Sequence, residues 1–224
     1  MASVCVFDVN ETLLDLGALD PHFERVFGDA GVRRAWFLQL LQSALVATVT
    51  GVYSNFGTIG AAALEMIAER EGVDLSEEDK QEILGGMREL PPHPEVAKSL
   101  ERLREAGLRM ATLTNSTREV AEVQMENSGL RGYFEQTLSA DAVKRLKPAP
   151  EPYRMAAESL GVEMGQVRLI AAHSWDVAGA LRAGCAAAFV ARPGMVLDPL
   201  VERPEVVGVD LRELADRILE VETG

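Results

Sequence analysis

The chain has 224 residues, 47% of them hydrophobic and 25% charged, which is enough for one sizeable α/β domain with an insertion or for two small domains. Its composition is that of a soluble globular protein, because no apolar run approaches the roughly 20 residues that span a bilayer. The net charge of -13 argues against nucleic acid as a partner, since phosphate contacts need clustered Lys and Arg. No signal-peptide pattern is recognised, so a cytoplasmic location is expected.

The first predicted element is a buried parallel strand at residues 3–7, where a short apolar run ends at polar Asp8. In doubly wound sheets, the loops after the strands carry the ligands. From about residue 19 to residue 89, apolar residues recur at three- and four-residue spacing, which predicts an all-helical block. Ser76 is predicted to begin one of its helices, and Gly85 and Gly86 to end the block.

After the prolines at 91, 92 and 94, strand and helix patterns alternate to the end of the chain. Strands are predicted at residues 109–113, 134–138, 167–171, 186–191 and 206–209. Helices are predicted at residues 95–105, 152–159 and 175–183, and from residues 117 and 211. The order predicts an α/β fold with a parallel-sheet core of residues 1–14 and 92–224, and an inserted helical lobe at residues 15–91.

Four polar clusters fall where a parallel sheet gathers the loops that follow its strands. They are Asp8, the segment 114–116, Lys147 with Pro148, and the segment 173–176. Each cluster alone is weak evidence, because an Asp after a strand is often a turn residue and a lysine before a helix is usually solvated. Found together and in order, they predict one functional site at that edge of the sheet.

These clusters resemble the four motifs of the haloacid dehalogenase superfamily. They read Phe-Asp-Val-Asn-Glu-Thr-Leu at 7–13, Leu-Thr-Asn-Ser at 113–116, Leu-Lys-Pro-Ala-Pro at 146–150 and Trp-Asp-Val-Ala-Gly-Ala at 175–180. The resemblance covers essentially the whole chain, and the fourth motif is similar to that of the type II 2-haloacid dehalogenases. It implies a Rossmann-like core, a helical cap that closes over the nucleophile, and a homodimer.

Two departures from the superfamily's phosphatases favour dehalogenation over phosphate transfer. Asn10 stands where those enzymes place an acid two residues after the nucleophile, and Ala172 stands where they place an anionic ligand for magnesium. A halide leaving group needs neither a proton nor a metal, so no metal and no cofactor is expected. A magnesium-dependent phosphatase and a non-catalytic member of the superfamily remain the alternatives.

The resemblance implies that Asp8 attacks a short 2-haloalkanoic acid, and that water then hydrolyses the ester to a 2-hydroxy acid. Lys147 is expected to keep Asp8 ionised and to stabilise the oxyanion, and His173 is either the general base or a structural histidine. The expected catalytic residues are Asp8, Thr12, Lys147, His173 and Asp176. The expected substrate-binding residues are Asn10, Glu11, Trp36, Phe37, Tyr53, Thr114, Asn115, Tyr153 and Trp175.

The halide receptor is the point at which the chain departs from type II enzymes. These carry a cap arginine directly after a tryptophan like Trp36, whereas this chain has Phe37 there. The halide is then expected to be held by Asn115, His173 or a tryptophan indole N–H, or else by Arg33 or Arg34. Cys5 and Cys185 lie in apolar segments and are expected to be core thiols.

Overall fold

A computed structural model describes residues 4–223 of the chain. One parallel sheet runs through these residues in the order β3-β2-β1-β4-β5-β6. Its strands are β1 (Val4–Phe7), β2 (Arg109–Thr114), β3 (Gln136–Ser139), β4 (Val167–Ala171), β5 (Ala186–Val190) and β6 (Val206–Gly208). The strand order reverses at β1, so the crevice where such sheets bind ligands lies beyond Phe7. The predicted α/β fold with a Rossmann-like parallel sheet is confirmed.

Four helices lie between β1 and the next core helix. They are α1 (Asp20–Phe27), α2 (Val32–Thr50), α3 (Phe56–Glu71) and α4 (Glu77–Gly86). As predicted, Ser76 caps α4, since its hydroxyl accepts a hydrogen bond from the amide of Asp79, and the helix ends at Gly86. The core helices are α5 (Val96–Glu105), α6 (Arg118–Asn127), α7 (Pro150–Leu160), α8 (Ser174–Ala183) and α9 (Leu211–Thr223). No helix in the described part of the chain is long and apolar enough to cross a membrane.

The residues of β1 alternate between the two faces of the sheet, and each face has its own core. Val4 and Val6 pack with residues of α7 and α8. Cys5 and Phe7 face the other way, into a core that includes residues of α5, α9 and the inserted helices. The insertion therefore packs against the same face as α5 and α9. Cys5 and Cys185 are buried thiols, as predicted.

The chain enters and leaves the insertion through two paired segments. The amide of Asp15 donates to the carbonyl of Pro91 at 2.8 Å, and the amide of His93 donates to the carbonyl of Leu13 at 3.0 Å. The division predicted at residues 14 and 92 lies next to these two hydrogen bonds and stays a prediction. The loop that carries Asp8 is thereby tied to both ends of the insertion.

Candidate active site

The centre of the candidate site is a buried lysine between two carboxylates. Lys147 Nζ donates to Asp8 Oδ1 at 2.9 Å, to Asp176 Oδ2 at 2.5 Å and to the carbonyl of Leu113 at 2.8 Å. Asp8 follows β1, Leu113 lies in β2 and Asp176 lies in the first turn of α8. Parallel pairing of β1 with both β2 and β4 brings these segments together. The lysine ammonium thus occupies the space between the two carboxylates.

Charge pairing keeps Asp8 and Lys147 ionised, whereas burial raises the pKa of Asp176. Burial alone would raise the pKa of Asp8, but Lys147 and His173 outweigh burial and hold that pKa well below its usual range. Burial alone would lower the pKa of Lys147, but the charges of Asp176 and Asp8 raise it. Asp8 is therefore a carboxylate and Lys147 an ammonium at neutral pH, as a nucleophile and its cation must be.

Two hydroxyl groups orient the carboxylates. Thr12 Oγ1 donates to Asp8 Oδ2 at 2.7 Å and accepts a hydrogen bond from the amide of Ala172 at 3.0 Å. Tyr153 donates its hydroxyl to Asp176 Oδ1 at 2.6 Å. Burial raises the pKa of Tyr153 well above its ordinary value, so Tyr153 remains a donor. These contacts leave each carboxylate with a single orientation.

His173 lies on the opposite side of Asp8 from Lys147. Its Nδ1 is 3.3 Å from Asp8 Oδ2, and its Nε2 is 3.0 Å from Glu11 Oε2. Burial would lower the pKa of His173, but the hydrogen bonds and charges of Asp8 and Glu11 raise it to about 9. The ring is held between Phe37 and Trp175, with ring centroids at 5.9 Å and 5.2 Å. His173 is therefore a buried imidazolium at neutral pH.

The second motif supports the lysine through the backbone. Asn115 Oδ1 accepts a hydrogen bond from the amide of Lys147 at 2.8 Å, and Asn115 Nδ2 donates to its carbonyl at 3.3 Å. Thr114 Oγ1 accepts a hydrogen bond from the amide of Ser116 at 3.2 Å. Asn10 accepts a hydrogen bond from Gln124 at 3.0 Å and lies near Ser116. Asn115 thus holds Lys147 in place, while Asn10 joins the nucleophile loop to α6.

Two of the expected aromatic contacts have other partners. Trp36 is fully buried and its indole N–H donates to the carbonyl of Gly60 at 2.9 Å, which fits core packing. Tyr53 donates its hydroxyl to Asp141 and lies beside Lys144. Neither polar atom is directed at the Asp8 carboxylate, so a substrate contact by Trp36 or Tyr53 remains a prediction.

Among the expected halide receptors, the arginines are not available. Arg33 is buried and its guanidinium contacts Asp20 and Glu11, while Arg34 is exposed. The indole Nε1 of Trp175, by contrast, is buried and has no hydrogen-bond partner among residues 4–223. The ring of Trp175 also lies 5.9 Å from Lys147 Nζ. Trp175, rather than Trp36, thus offers an N–H without a partner in that range, on a ring that lies next to His173 and Lys147.

The sequence interpretation missed several residues that hold the site together. Arg192 donates to the carbonyl of Thr12 at 2.8 Å and pairs with Glu95. Arg33 of the insertion, expected only as a possible halide receptor, reaches Glu11 and pairs with Asp20. A signal for Arg33 was present, because it shares a helix face with Phe37 and a buried charge on an apolar stripe needs a partner.

The described residues include no group of three or more His, Cys, Asp or Glu side chains placed to hold a metal ion. The carboxylates of Asp8 and Asp176 are instead both paired with Lys147. The donor set is therefore that of a salt-bridged nucleophile.

Comparisons with known proteins agree on one family. A family model described as haloacid dehalogenase-like hydrolase matches residues 2–184. The chain is 28% identical over 201 residues to a haloacetate dehalogenase of Moraxella sp. (strain B), covering 89% of this chain and 90% of that protein. It is 27% identical over 217 residues to an (S)-2-haloacid dehalogenase of Pseudomonas putida, covering 96% and 97% of the two chains. An L-2-haloacid dehalogenase structure from Xanthobacter autotrophicus, with chloropropionic acid covalently bound, matches with a TM-score of 0.90 at 25% identity, covering 97% and 98%.

Proposed function

The chain belongs to the haloacid dehalogenase-like hydrolases, and from that premise we propose that it hydrolyses short 2-haloalkanoic acids to 2-hydroxy acids through an ester on Asp8. One observation carries the proposal: the buried Asp8 carboxylate is held between Lys147 at 2.9 Å and His173 at 3.3 Å. The relatives named above, which act on haloacetate and 2-haloacids by name, give the substrate class.

In the first step, an Asp8 carboxylate oxygen attacks the halogen-bearing carbon from the side opposite the halogen. The new carbon–oxygen bond forms as the carbon–halogen bond breaks, and the halide leaves with the bonding electrons. Lys147 and Thr12 fix the angle of the attacking carboxylate. The departing anion leaves on the face away from Asp8, and the indole N–H of Trp175, which has no partner in the described part of the chain, is the donor proposed to receive it.

In the second step, water attacks the Asp8 carbonyl carbon and His173 accepts its proton. Esterification removes the negative charge of Asp8, which is one of the two groups that raise the pKa of His173 to about 9. The pKa of His173 therefore falls when the ester forms, its Nδ1 proton is released to solvent, and the neutral imidazole becomes a base at the stage that needs one. Because Glu11 accepts a hydrogen bond from Nε2, the proton on Nε2 stays in place. Nδ1, which lies next to Asp8, is then the nitrogen that accepts the proton from water.

Lys147 stabilises the tetrahedral oxyanion of this second step, since its ammonium already donates to Asp8. Collapse of the intermediate breaks the bond between the Asp8 carbonyl carbon and the ester oxygen. The proton held by His173 passes to the departing alkoxide and gives the 2-hydroxy acid. One oxygen of water remains in Asp8, and the remaining water proton passes from the Asp8 carboxyl to His173, which restores the carboxylate and the imidazolium.

The insertion is part of this proposal as a cap over the nucleophile, with residues 1–14 and 92–224 as the core and residues 15–91 as the cap. Phe37 of α2 contacts His173, so the cap supplies one wall of the site. The exposed apolar residues of α2 support a homodimer, namely Leu38, Val46, Val49 and, just beyond the helix, Val52. Replacing Val49 by Asp is expected to yield a monomer in sedimentation. A cytoplasmic location stays a prediction from the sequence.

The test is halide and acid release from chloroacetate, fluoroacetate and 2-chloropropionate with excess chelator, comparing the native chain with Asp8→Asn. We expect the native chain to release halide in the presence of excess chelator, and Asp8→Asn to release none. A single turnover in ¹⁸O-water should place the label in Asp8 and not in the first molecule of product. Magnesium-dependent hydrolysis of a phosphate ester without halide release would replace this function by the phosphatase alternative.

A further inference from the structure

We propose that Arg33 of the inserted helix α2 is a positioning residue for ester hydrolysis, because it holds the carboxylate of Glu11 that in turn fixes His173. The inference rests on the proposed function, since it concerns the base of the second step. In this proposal the cap does more than cover the nucleophile, because one of its residues also positions the base. Arg33 itself touches neither Asp8 nor His173 through any described contact.

The geometry is a continuous series of polar contacts from the insertion to the nucleophile. Arg33 Nε donates to Asp20, and Arg33 Nη1 lies 3.8 Å from Glu11 Oε1. The other oxygen of Glu11 is 3.0 Å from His173 Nε2, and His173 Nδ1 is 3.3 Å from Asp8. The side chain of Arg33 is only 9% exposed and that of Glu11 only 17%. Solvent therefore does little to weaken these interactions.

The backbone of Glu11 indicates that this residue is held in place. Its φ is 61°, in the left-handed region that residues other than glycine seldom adopt. Its amide donates to the carbonyl of Leu14 at 2.8 Å, and its carbonyl lies 3.2 Å from His93 Nε2. Such a conformation persists only when surrounding contacts fix it, and it is common at functional sites. The fixed backbone delivers the Glu11 carboxylate between His173 and Arg33.

The charges around His173 give the direction of the effect. The groups that face it are Asp8, Glu11, and the Lys147 ammonium beyond the Trp175 ring. Arg33 partly neutralises Glu11, which weakens the hold of Glu11 on the imidazolium. Without Arg33, Glu11 has His173 as its remaining cation, so the imidazolium persists to higher pH. The neutral base then forms later, and ester hydrolysis requires more alkaline solution.

The experiment compares Arg33→Met with Arg34→Met, a matched control that removes the neighbouring exposed arginine. Enzyme is mixed with 2-chloropropionate, and decay of the ester is followed by mass spectrometry between pH 6 and pH 10. We expect the pH midpoint of ester hydrolysis to rise by roughly half a unit to one unit in Arg33→Met. The midpoint in Arg34→Met should match that of the native chain.

A double-mutant cycle tests whether Arg33 acts through Glu11. In a Glu11→Gln background, Arg33→Met should change the hydrolysis rate by less than about twofold, because the carboxylate that Arg33 holds is gone. If Arg33→Met does not fold, Arg33→Lys replaces it in the experiment. The pH midpoint of ester hydrolysis should then rise by a smaller amount, because lysine keeps the positive charge on a shorter side chain.

The two proposals fail differently. If the native chain forms no ester, the proposed function fails and Arg33 has no role of this kind. If the native chain forms and hydrolyses the ester but Arg33→Met keeps the midpoint of Arg34→Met, the proposed function stands and the inference about Arg33 is overturned. Equal effects of Arg33→Met in the native and Glu11→Gln backgrounds would also overturn it.

Discussion

Asp8 has two dissimilar sides. On one, here called the lysine side, Lys147, Asp176 and Tyr153 form a sealed group of core residues with exposures of 0 to 2%. On the other, the histidine side, His173 contacts Glu11 and, through it, Arg33 of the insertion. The lysine side is assembled within the core, from loops that follow the strands and from α7 and α8. The histidine side needs the insertion as well.

This difference separates the two chemical steps. On the lysine side, Lys147 keeps its positive charge in both steps. Its ammonium has carboxylate partners at 2.9 Å and 2.5 Å and cannot release a proton readily. The histidine side can change charge, because Asp8 is one of the two groups that raise the pKa of His173, and its contribution disappears on esterification. We therefore expect substitutions on the lysine side to stop ester formation. Substitutions on the histidine side should instead stop ester hydrolysis.

The largest effect is expected for Lys147→Met. It should lower the rate of ester formation by about a thousandfold or more, because Asp8 loses the ammonium that orients its carboxylate and helps to keep it ionised. It should also lower the free energy of unfolding by about 3–5 kcal/mol, since among the described residues buried Asp176 loses its only cation and Asp8 keeps only His173. Stopped-flow halide release and urea unfolding measure the two quantities.

Lys144→Met is the control for Lys147→Met, as Lys144 has a 62% exposed side chain and no contact with Asp8. Adding Asp176→Asn to Lys147→Met should recover part of the stability but none of the activity. Ester formation at a near-native rate in Lys147→Met would contradict the assignment of substitution to the lysine side.

The next effect in size is expected for His173→Gln. Halide release should continue for one equivalent per site and then nearly stop, because hydrolysis loses its base and slows by about 10²- to 10³-fold. Intact-mass analysis should find the enzyme carrying the acyl adduct. A native rate of adduct decay in this variant would remove His173 from the hydrolytic step and leave it a structural histidine.

Stability should follow pH differently on the two sides. The pKa of His173 is about 9 in the fold and 6.5 unfolded, so its contribution is complete below pH 6.5 and is lost as pH rises through 9. The free energy of unfolding should therefore fall by roughly 3 kcal/mol more in the native chain than in His173→Gln between pH 6.5 and pH 9.5. Urea denaturation of both proteins at several pH values measures the difference. Parallel curves would mean that His173 is not an imidazolium in the fold.

The lysine side was predictable from the sequence and the histidine side only in part. Each motif on the lysine side follows its own strand, and parallel pairing alone brings Asp8, Lys147 and Asp176 together. His173 was found because it shares a loop with Asp176. Arg33 was named only as a possible halide receptor, because its contact with Glu11 depends on how α2 packs against the nucleophile loop, and sequence spacing does not encode that packing.

The boundaries of the secondary-structure elements were also predictable only in part. The strand predicted at residues 134–138 is β3 at Gln136–Ser139, because Phe134 follows a short turn of helix and packs against Phe7 with ring centroids 5.8 Å apart. A buried aromatic in a turn and one in a strand have the same apolar signature. Periodicity predicted the element, while tertiary packing set its first residue.

The smallest effect is expected for Tyr153→Phe, and it tests whether the two sides are independent. The change removes the 2.6 Å hydrogen bond to Asp176 but keeps the ring, and Lys147 still donates to Asp176 at 2.5 Å. We expect a loss of about 1 kcal/mol in unfolding free energy and no more than about tenfold in ester formation. Because His173 keeps both of its partners, the pH midpoint of ester hydrolysis should match that of the native chain. Accumulation of the ester in Tyr153→Phe would mean that Tyr153 also controls hydrolysis, beyond the oxyanion contact of Lys147, so that Asp8 couples the two sides instead of separating them.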